Sequence, residues 1–159
     1  MPYVLVVDDD PDVRQALVDG LVIAGACDVE PAGSAAEALA SVERQRPDAA
    51  IIDVTMPRVS GLSLAARFIE LGIPSLIISG DPEHQQMLAE VGCPLLAKPF
   101  HLDQFVHAVR ALLDETELHM ARLADGLSLL TERKAELRNA TGNSRLAHEA
   151  RWRNDDTGT

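Results

Sequence analysis

Short apolar runs alternate along the chain with longer segments in which apolar residues recur every three or four positions. The first run, YVLVV at residues 3–7, is rich in β-branched residues and is typical of a strand buried on both faces of a sheet. In the segment that follows, Val13, Leu17 and Leu21 recur at helical spacing, and Pro11 suits the first turn of a helix. The pattern therefore predicts a strand followed by a helix.

The same unit of strand and helix occurs five times in the first two-thirds of the chain. Strands that alternate with helices through short connections form a parallel sheet with right-handed crossovers and helices on both faces. The predicted fold class is therefore α/β, a doubly wound, five-stranded parallel sheet of the flavodoxin-like order 2-1-3-4-5. The predicted strands are 3–7, 27–32, 49–54, 75–79 and 94–97, and the predicted helices are 11–26, 34–45, 62–71, 82–91 and 101–115.

Composition and charge narrow the classes of partner. Apolar residues make up 47% of the 159 residues, which is enough to bury a core. Residues 1–113 hold 16 acidic and 7 basic side chains, a net charge of −9 that would repel a phosphate backbone. No apolar run reaches the roughly 18 residues of a membrane span, and residues 1–10 lack a signal-peptide pattern. We therefore expect a cytoplasmic protein that contacts no membrane.

Acidic, hydroxyl and basic residues mark the ends of four predicted strands. Because the carboxyl ends of parallel strands meet at one edge of a sheet, we expect these side chains to converge there. One aspartate alone would be explained as a helix N-cap, but capping does not explain a serine and one of the two lysines of the chain at the same edge. The converging residues are Asp8, Asp9, Asp53, Ser79 and Lys98.

The composition of this edge indicates chemistry on a phosphoryl group. Carboxylates close together need a cation, and oxygen ligands without histidine or cysteine select a hard ion, in a cytosol Mg²⁺. A hydroxyl from Ser79 and an ammonium from Lys98 would contact phosphoryl oxygens. Asp53, which lies on a different strand from Asp8 and Asp9, would be the nucleophile.

Four stretches of the sequence resemble the receiver domain of bacterial two-component response regulators. They are LVVDDDPDVRQAL, IIDVTMPRVSGL, LIISG and LLAKPF, and they occur in the order and at the spacing of that family. The most specific motifs are D-x-x-M-P-x-x-x-G, from Asp53 to Gly61, and K-P-F, from Lys98 to Phe100. The resemblance covers residues 3–115.

The resemblance implies a set of roles for the residues at the sheet edge. Asp53 would accept a phosphoryl group from a sensor histidine kinase or a histidine phosphotransferase, and Ser79 and Lys98 would contact that group. Mg²⁺ would be coordinated by Asp9, Asp53 and the main-chain carbonyl of Thr55, with Asp8 acting through a bound water. The resemblance also implies a cis bond between Lys98 and Pro99. It implies a signalling protein rather than a classical enzyme, with removal of its own phosphate as an additional capacity.

Two positions stand apart from the family pattern. Asp10 aligns with no family ligand, so we interpret it as the N-cap of the helix that starts at Pro11. Receivers usually carry Tyr or Phe three residues before the lysine, a ring that packs inward in the signalling state, whereas this chain has Leu95. We expect Leu95 to alter the transmission of the signal. The phosphorylation chemistry does not use the ring, so we expect it to be unaffected.

The remaining residues form a less acidic tail. We assign residues 1–115 to the receiver domain, 116–138 to a helical extension and 139–159 to a mobile tail. Residues 130–150 resemble the opening of LuxR-type helix-turn-helix domains, but the nine residues that follow are too few for a recognition helix, which disfavours DNA binding. The expected output is contact with another, unidentified protein or a phosphorelay, and a homodimer through the tail is the less favoured alternative.

Two other functions compete with the receiver hypothesis. A phosphatase of the haloacid dehalogenase type would use the D-x-D of Asp8 and Asp10, but it would leave the motif that starts at Asp53 unexplained. A pseudo-receiver would keep the fold as a binding module without phosphorylation, but this chain has the full set of acids, hydroxyl and lysine.

Overall fold

The computed structural model describes residues 1–55, 61–90 and 93–154. All strands of the sheet that these residues form are parallel, and the strand order β2-β1-β3-β4-β5 confirms the predicted α/β fold. The strands are β1 (Tyr3–Val7), β2 (Asp28–Ala32), β3 (Ala49–Asp53), β4 (Ser75–Ser79) and β5 (Leu95–Ala97). The helices are α1 (Pro11–Ile23), α2 (Ala35–Arg44), α3 (Gly61–Glu70), α4 (Pro82–Glu90) and α5 (Leu102–Asn154).

The core lies in two layers, one on each face of the sheet. Alternate residues of β1 point to opposite faces, so Leu5 and Val7 belong to one apolar cluster and Val4 and Val6 to the other. The first cluster is covered by α2, α3 and α4, and the second by α1 and the beginning of α5. Helices therefore cover both faces, as predicted, and the central strands are buried from both sides.

The first two helices begin at side-chain caps, of which Asp10 is the one predicted above. Asp10 accepts hydrogen bonds from the main-chain N–H groups of Asp12 (2.9 Å) and Val13 (3.3 Å), which confirms it as the N-cap of α1. Ser34 accepts a hydrogen bond from the N–H of Glu37 at 3.1 Å. The Glu37 carboxylate in turn accepts the N–H of Gly33 at 2.7 Å, a variant of the capping box.

Glycines with positive φ end two helices. Gly25 (φ 61°) follows α1 and donates to the carbonyl of Val22 at 3.0 Å, while the next N–H reaches back to Leu21 at 3.4 Å. Gly72 (φ 71°) ends α3 through the same pair of hydrogen bonds. The sequence also marks Gly25 as a stop within the predicted segment 11–26, and this turn confirms it, with the last helical residue at Ile23.

The chain divides into two compact units, Met1–Glu117 and the residues from Leu118 onward. Helix α5 includes residues 139–154, whose mobility stays a prediction, and residues 155–159 lie outside the described residues. Met56 and Pro57 of the motif that starts at Asp53 also lie outside them, as does residue 91 of the predicted fourth helix. None of the described helices has a segment long and apolar enough to cross a membrane.

Gly61, the last residue of that motif, lies directly against the end of β3. A Cβ atom at Gly61 would come within 2.4 Å of Cα of Val54 and 2.7 Å of the carbonyl oxygen of Asp53. These are main-chain atoms of the segment that presents Asp53, so they have no rotamer by which to give way. The absence of a side chain at Gly61 therefore permits α3 to begin beside the functional edge of the sheet.

We predict that Gly61→Ala lowers the free energy of unfolding by about 2–3 kcal/mol, because the added methyl group displaces main chain in a packed region. Urea denaturation of the full chain measures the change. Gly80→Ala is the matched control, since its Cβ would meet Lys98 at an ordinary contact distance of 3.6 Å. Equal stability of the two variants would contradict the steric account.

Candidate functional site

The register of the sheet brings the predicted site residues to one edge. Val7 pairs with Ile52, so Asp8 and Asp53 leave neighbouring strands at the same level. On the other side of β3, Asp53 pairs with Ile78, the residue before Ser79. The next pair, Ser79 with Ala97, places Lys98 immediately beyond. The sheet therefore juxtaposes residues that are up to 90 positions apart in sequence.

Asp53 is buried, and both of its carboxylate oxygens accept hydrogen bonds. Oδ2 accepts from Nζ of Lys98 at 2.5 Å, and this ion pair joins the ends of β3 and β5. Oδ1 accepts from the main-chain N–H of Thr55 at 2.9 Å and from the Thr55 hydroxyl at 2.5 Å. Burial alone would raise the pKa of Asp53, but the bonds from Lys98 and Thr55 outweigh it and hold the pKa below its ordinary value.

Asp8 is also buried, but its pKa is shifted in the opposite direction from that of Asp53. Its Oδ1 accepts the N–H of Asp10 at 2.9 Å, while Oδ2 is buried without a hydrogen-bond partner among the described residues. Burial raises the pKa of Asp8 to about 6, and the charge of Asp53 adds to the rise while the Asp10 N–H opposes it. The two carboxylates thus have pKa values shifted in opposite directions, so Asp8 takes up a proton at a higher pH than Asp53 does.

The unpartnered oxygen of Asp8 fits a cation at this edge. Within residues 1–55, 61–90 and 93–154, no three His, Cys, Asp or Glu side chains form a metal-binding group by themselves. Mg²⁺ commonly takes one or two carboxylates and keeps several waters, so it does not require such a group. The unpartnered Asp8 oxygen near Asp53 therefore suits Mg²⁺ better than an ion that needs a full set of protein ligands.

Asp9 and Ser79 lie at the same edge of the sheet but differ in exposure. Asp9 follows Asp8 directly, but its side chain is exposed. Ser79 is completely buried, and its hydroxyl accepts the N–H of Asp81 at 3.1 Å in the turn that leads to α4. Its carbonyl accepts the N–H of Lys98 at 2.9 Å, so the main chain holds Ser79 beside the lysine.

Two contacts at the site were not anticipated from the sequence. The Thr55 hydroxyl binds Asp53, whereas only the Thr55 carbonyl was assigned a role. Arg14 donates from Nη1 to the main-chain carbonyl of Asp8 at 2.7 Å. The only available signal for Arg14 was its place one turn into α1 as one of few basic residues in the acidic part of the chain.

The structure describes both positions near Lys98 that the family comparison singled out, the bond to Pro99 and Leu95. The bond between Lys98 and Pro99 is cis, as the resemblance implied. Leu95 is half-buried on β5 and packs against the apolar cluster that α2, α3 and α4 cover. An aliphatic side chain therefore lies where most receivers place an aromatic ring.

Fold and site together define a doubly wound α/β domain with paired buried carboxylates and a lysine at the carboxyl edge of its sheet. The family model for the response regulator receiver domain matches residues 4–110. The chain belongs to the response regulator receiver family. This assignment confirms the family that the sequence motifs indicated, and the haloacid dehalogenase alternative loses its support.

Response regulators of mycobacteria are among the curated relatives that this chain resembles. The transcriptional regulatory protein PrrA of Mycobacterium tuberculosis is 40% identical over 117 residues, which cover 70% of this chain and 50% of PrrA. The response regulator MprA of Mycobacterium ulcerans is 34% identical over 131 residues, which cover 79% of this chain and 56% of MprA. The chain thus spans about half the length of the curated relatives it matches.

Solved receiver structures have the same fold. The receiver domain of the Francisella response regulator 1452 superimposes with a TM-score of 0.65 at 30% identity, covering 73% of this chain and 99% of that one. The chemotaxis protein CheY4 of Vibrio cholerae gives a TM-score of 0.62 at 32% identity, covering 71% and 99%. The likeness covers nearly the whole of both receiver domains.

We predict that Asp8→Asn stabilises the metal-free protein above pH 6. Because the folded-state pKa of Asp8, about 6, lies above the ordinary 3.8, the folded protein binds a proton there more tightly than the unfolded chain does. The free energy of unfolding therefore falls as the pH rises through this range, and an amide at this position removes that fall. The expected gain above pH 6 is about 1–3 kcal/mol, measured by urea denaturation in EDTA from pH 4 to 8.

Asp19→Asn is the control for this experiment, because Asp19 is exposed on α1 and its loss also removes one negative charge. Added Mg²⁺ should stabilise the wild-type protein more than the Asp8→Asn variant, since a ligand stabilises the state that binds it. Equal stability of the Asp8→Asn and Asp19→Asn variants above pH 6 would contradict the assigned cost of ionised Asp8.

Proposed function

We propose that Asp53 accepts a phosphoryl group from a phosphohistidine of a sensor histidine kinase or a histidine phosphotransferase. The observation that carries the proposal is the ion pair between Asp53 and Lys98 at 2.5 Å, together with the lowered pKa of Asp53. A buried carboxylate that stays ionised at neutral pH is a competent nucleophile, and a lysine beside it suits the oxygens of an incoming phosphoryl group.

The proposed step forms one bond to phosphorus and breaks one. A carboxylate oxygen of Asp53 attacks the phosphorus atom, the bond between phosphorus and the histidine nitrogen breaks, and the imidazole leaves with the electron pair and takes up a proton. The product is an acyl phosphate on Asp53. The Lys98 ammonium then pairs with the phosphoryl oxygens instead of the carboxylate, and the Ser79 hydroxyl donates to one of these oxygens after turning from the carbonyl of Asp81.

Mg²⁺ belongs to the same proposal. Asp9, Asp53 and the Thr55 carbonyl would hold it, and Asp8 would act through a bound water. The ion would neutralise negative charge on the phosphoryl group and on the carboxylates. The buried and unpartnered oxygen of Asp8 supports this assignment. Hydrolysis of the acyl phosphate at this site would make the protein its own phosphatase without making it a classical enzyme.

We further propose that the phosphorylated protein acts in the cytoplasm by docking to another protein or by passing the phosphoryl group along a relay. The acidic character of residues 1–113 supports a protein target over DNA. PrrA is named a transcriptional regulatory protein, so DNA binding is the alternative that this comparison raises. On β5, Leu95 offers only apolar packing, so the proposed signal is transmitted without an aromatic ring at this position.

The phosphoacceptor assignment predicts one hydroxylamine-labile phosphoryl adduct when the protein is incubated with acetyl phosphate and Mg²⁺. Asp53→Asn should lose the adduct, because an amide oxygen is a much poorer nucleophile than a carboxylate. Asp48→Asn is the matched control, since Asp48 is exposed at the opposite end of β3. Intact-protein mass spectrometry measures the adduct.

Two outcomes of this experiment contradict the assignment. A wild-type protein without an adduct would favour the pseudo-receiver, a binding module that keeps the fold. An adduct that persists in the Asp53→Asn variant would place the acceptor elsewhere.

A separate experiment tests the proposed output. With beryllofluoride and Mg²⁺, we expect the molar mass from light scattering to stay unchanged, because the proposed target is another protein. The Asp53→Asn variant controls for effects of the salt that do not involve the site. A doubled mass in the wild-type protein alone would establish the homodimer and contradict the proposed output.

A further inference from the structure

Arg14 connects α1 to the segment that carries Asp8 and Asp9. Its Nη1 donates to the main-chain carbonyl of Asp8 at 2.7 Å, in a part-buried position. The acceptor is a carbonyl rather than a carboxylate, so this bond fixes the peptide between the two aspartates. Asp8 is held independently through the bond from the Asp10 N–H, but Asp9 is exposed and depends on the direction of that peptide.

The absence of a side chain at Gly33 leaves room for the Arg14 guanidinium group. A Cβ atom at Gly33 would lie 2.9 Å from Nη1 of Arg14, which is closer than side-chain carbons normally approach. The glycine follows β2, and its N–H is held by Glu37 of α2 at 2.7 Å. The Arg14 guanidinium therefore lies against a fixed stretch of main chain and reaches the carbonyl of Asp8 over it.

We propose that Arg14 is a positioning residue for the cation end of the site, because it orients the Asp8–Asp9 peptide and with it the Asp9 carboxylate. The inference rests on the proposed Mg²⁺-dependent function. Residues that orient metal ligands by hydrogen bonds commonly determine much of the metal affinity. Arg14 touches neither of the proposed reacting groups.

The positive charge of Arg14 and its hydrogen bond to the peptide have opposite effects on the affinity of the site for a cation. As a positive charge near the carboxylates, Arg14 repels Mg²⁺, so its removal would strengthen binding if charge alone mattered. As an anchor for the peptide, it preorganises Asp9, so its removal would weaken binding. The sign of the change in Mg²⁺ affinity therefore separates the two accounts, and we expect the anchoring effect to dominate.

The test measures Mg²⁺ affinity of the full chain by isothermal titration calorimetry. We expect Arg14→Met, which keeps the aliphatic stem, to weaken Mg²⁺ binding about tenfold. Arg14→Lys should recover part of the affinity because it keeps a charged donor. Arg67→Met should bind as the wild type does, since Arg67 is exposed and its removal changes the net charge equally. Phosphorylation of Arg14→Met by acetyl phosphate should be slow at limiting Mg²⁺ and reach the wild-type rate at saturating Mg²⁺.

Gly33→Ala provides a second perturbation that leaves Arg14 in the chain. Its methyl group should push the guanidinium away from the Asp8 carbonyl and weaken Mg²⁺ binding in the same direction, which keeps the proposal testable if Arg14→Met does not fold. Wild-type or tighter Mg²⁺ affinity in either folded variant would overturn the role of Arg14. Failure of the wild-type protein to bind Mg²⁺ would instead overturn the proposed function itself.

Discussion

The structure depends on the burial of two carboxylates beside a single lysine. Transfer of an ion from water into a protein interior costs several kcal/mol, and the cost is recovered only by close partners of opposite charge or by hydrogen bonds. Lys98 and Thr55 provide these partners for Asp53, but Asp8 retains a buried oxygen without one among the described residues. The site therefore carries uncompensated negative charge, which a bound cation would offset.

The same constraint explains why the two carboxylates are suited to different tasks. Both are buried and both lie at strand ends, so their location does not distinguish them. Their partners do, because Lys98 lowers the pKa of Asp53 while burial and the charge of Asp53 raise that of Asp8. Two neighbouring acids whose pKa values are shifted apart are a common arrangement in sites that need one nucleophile and one group that responds to a cation or a proton.

The sequence was sufficient to predict the fold and the positions of the site residues, because both follow from periodicity. Buried strands and amphipathic helices alternate visibly, and the ends of parallel strands must share an edge. Even the edge position of β2 follows, since Pro31 lacks the N–H that an inner strand would need. The stop of α1 at Gly25 follows from the sequence too, but the segment drawn to residue 26 overruns the last helical residue, Ile23, because the turn at Gly25 engages carbonyls of the last helical turn.

What periodicity could not predict are contacts decided by side-chain reach. Lys98 extends to Asp53 rather than to Asp8, and this contact helps to give Asp53 the lower pKa of the two. The bond from Arg14 ends on a main-chain carbonyl, an acceptor that every residue has and that leaves no mark in the sequence. Gly61 shows the converse, since its motif position is evident but its reason, main chain at 2.4 Å, requires coordinates. The sheet therefore fixes which groups meet, whereas reach and close packing determine which of them can react.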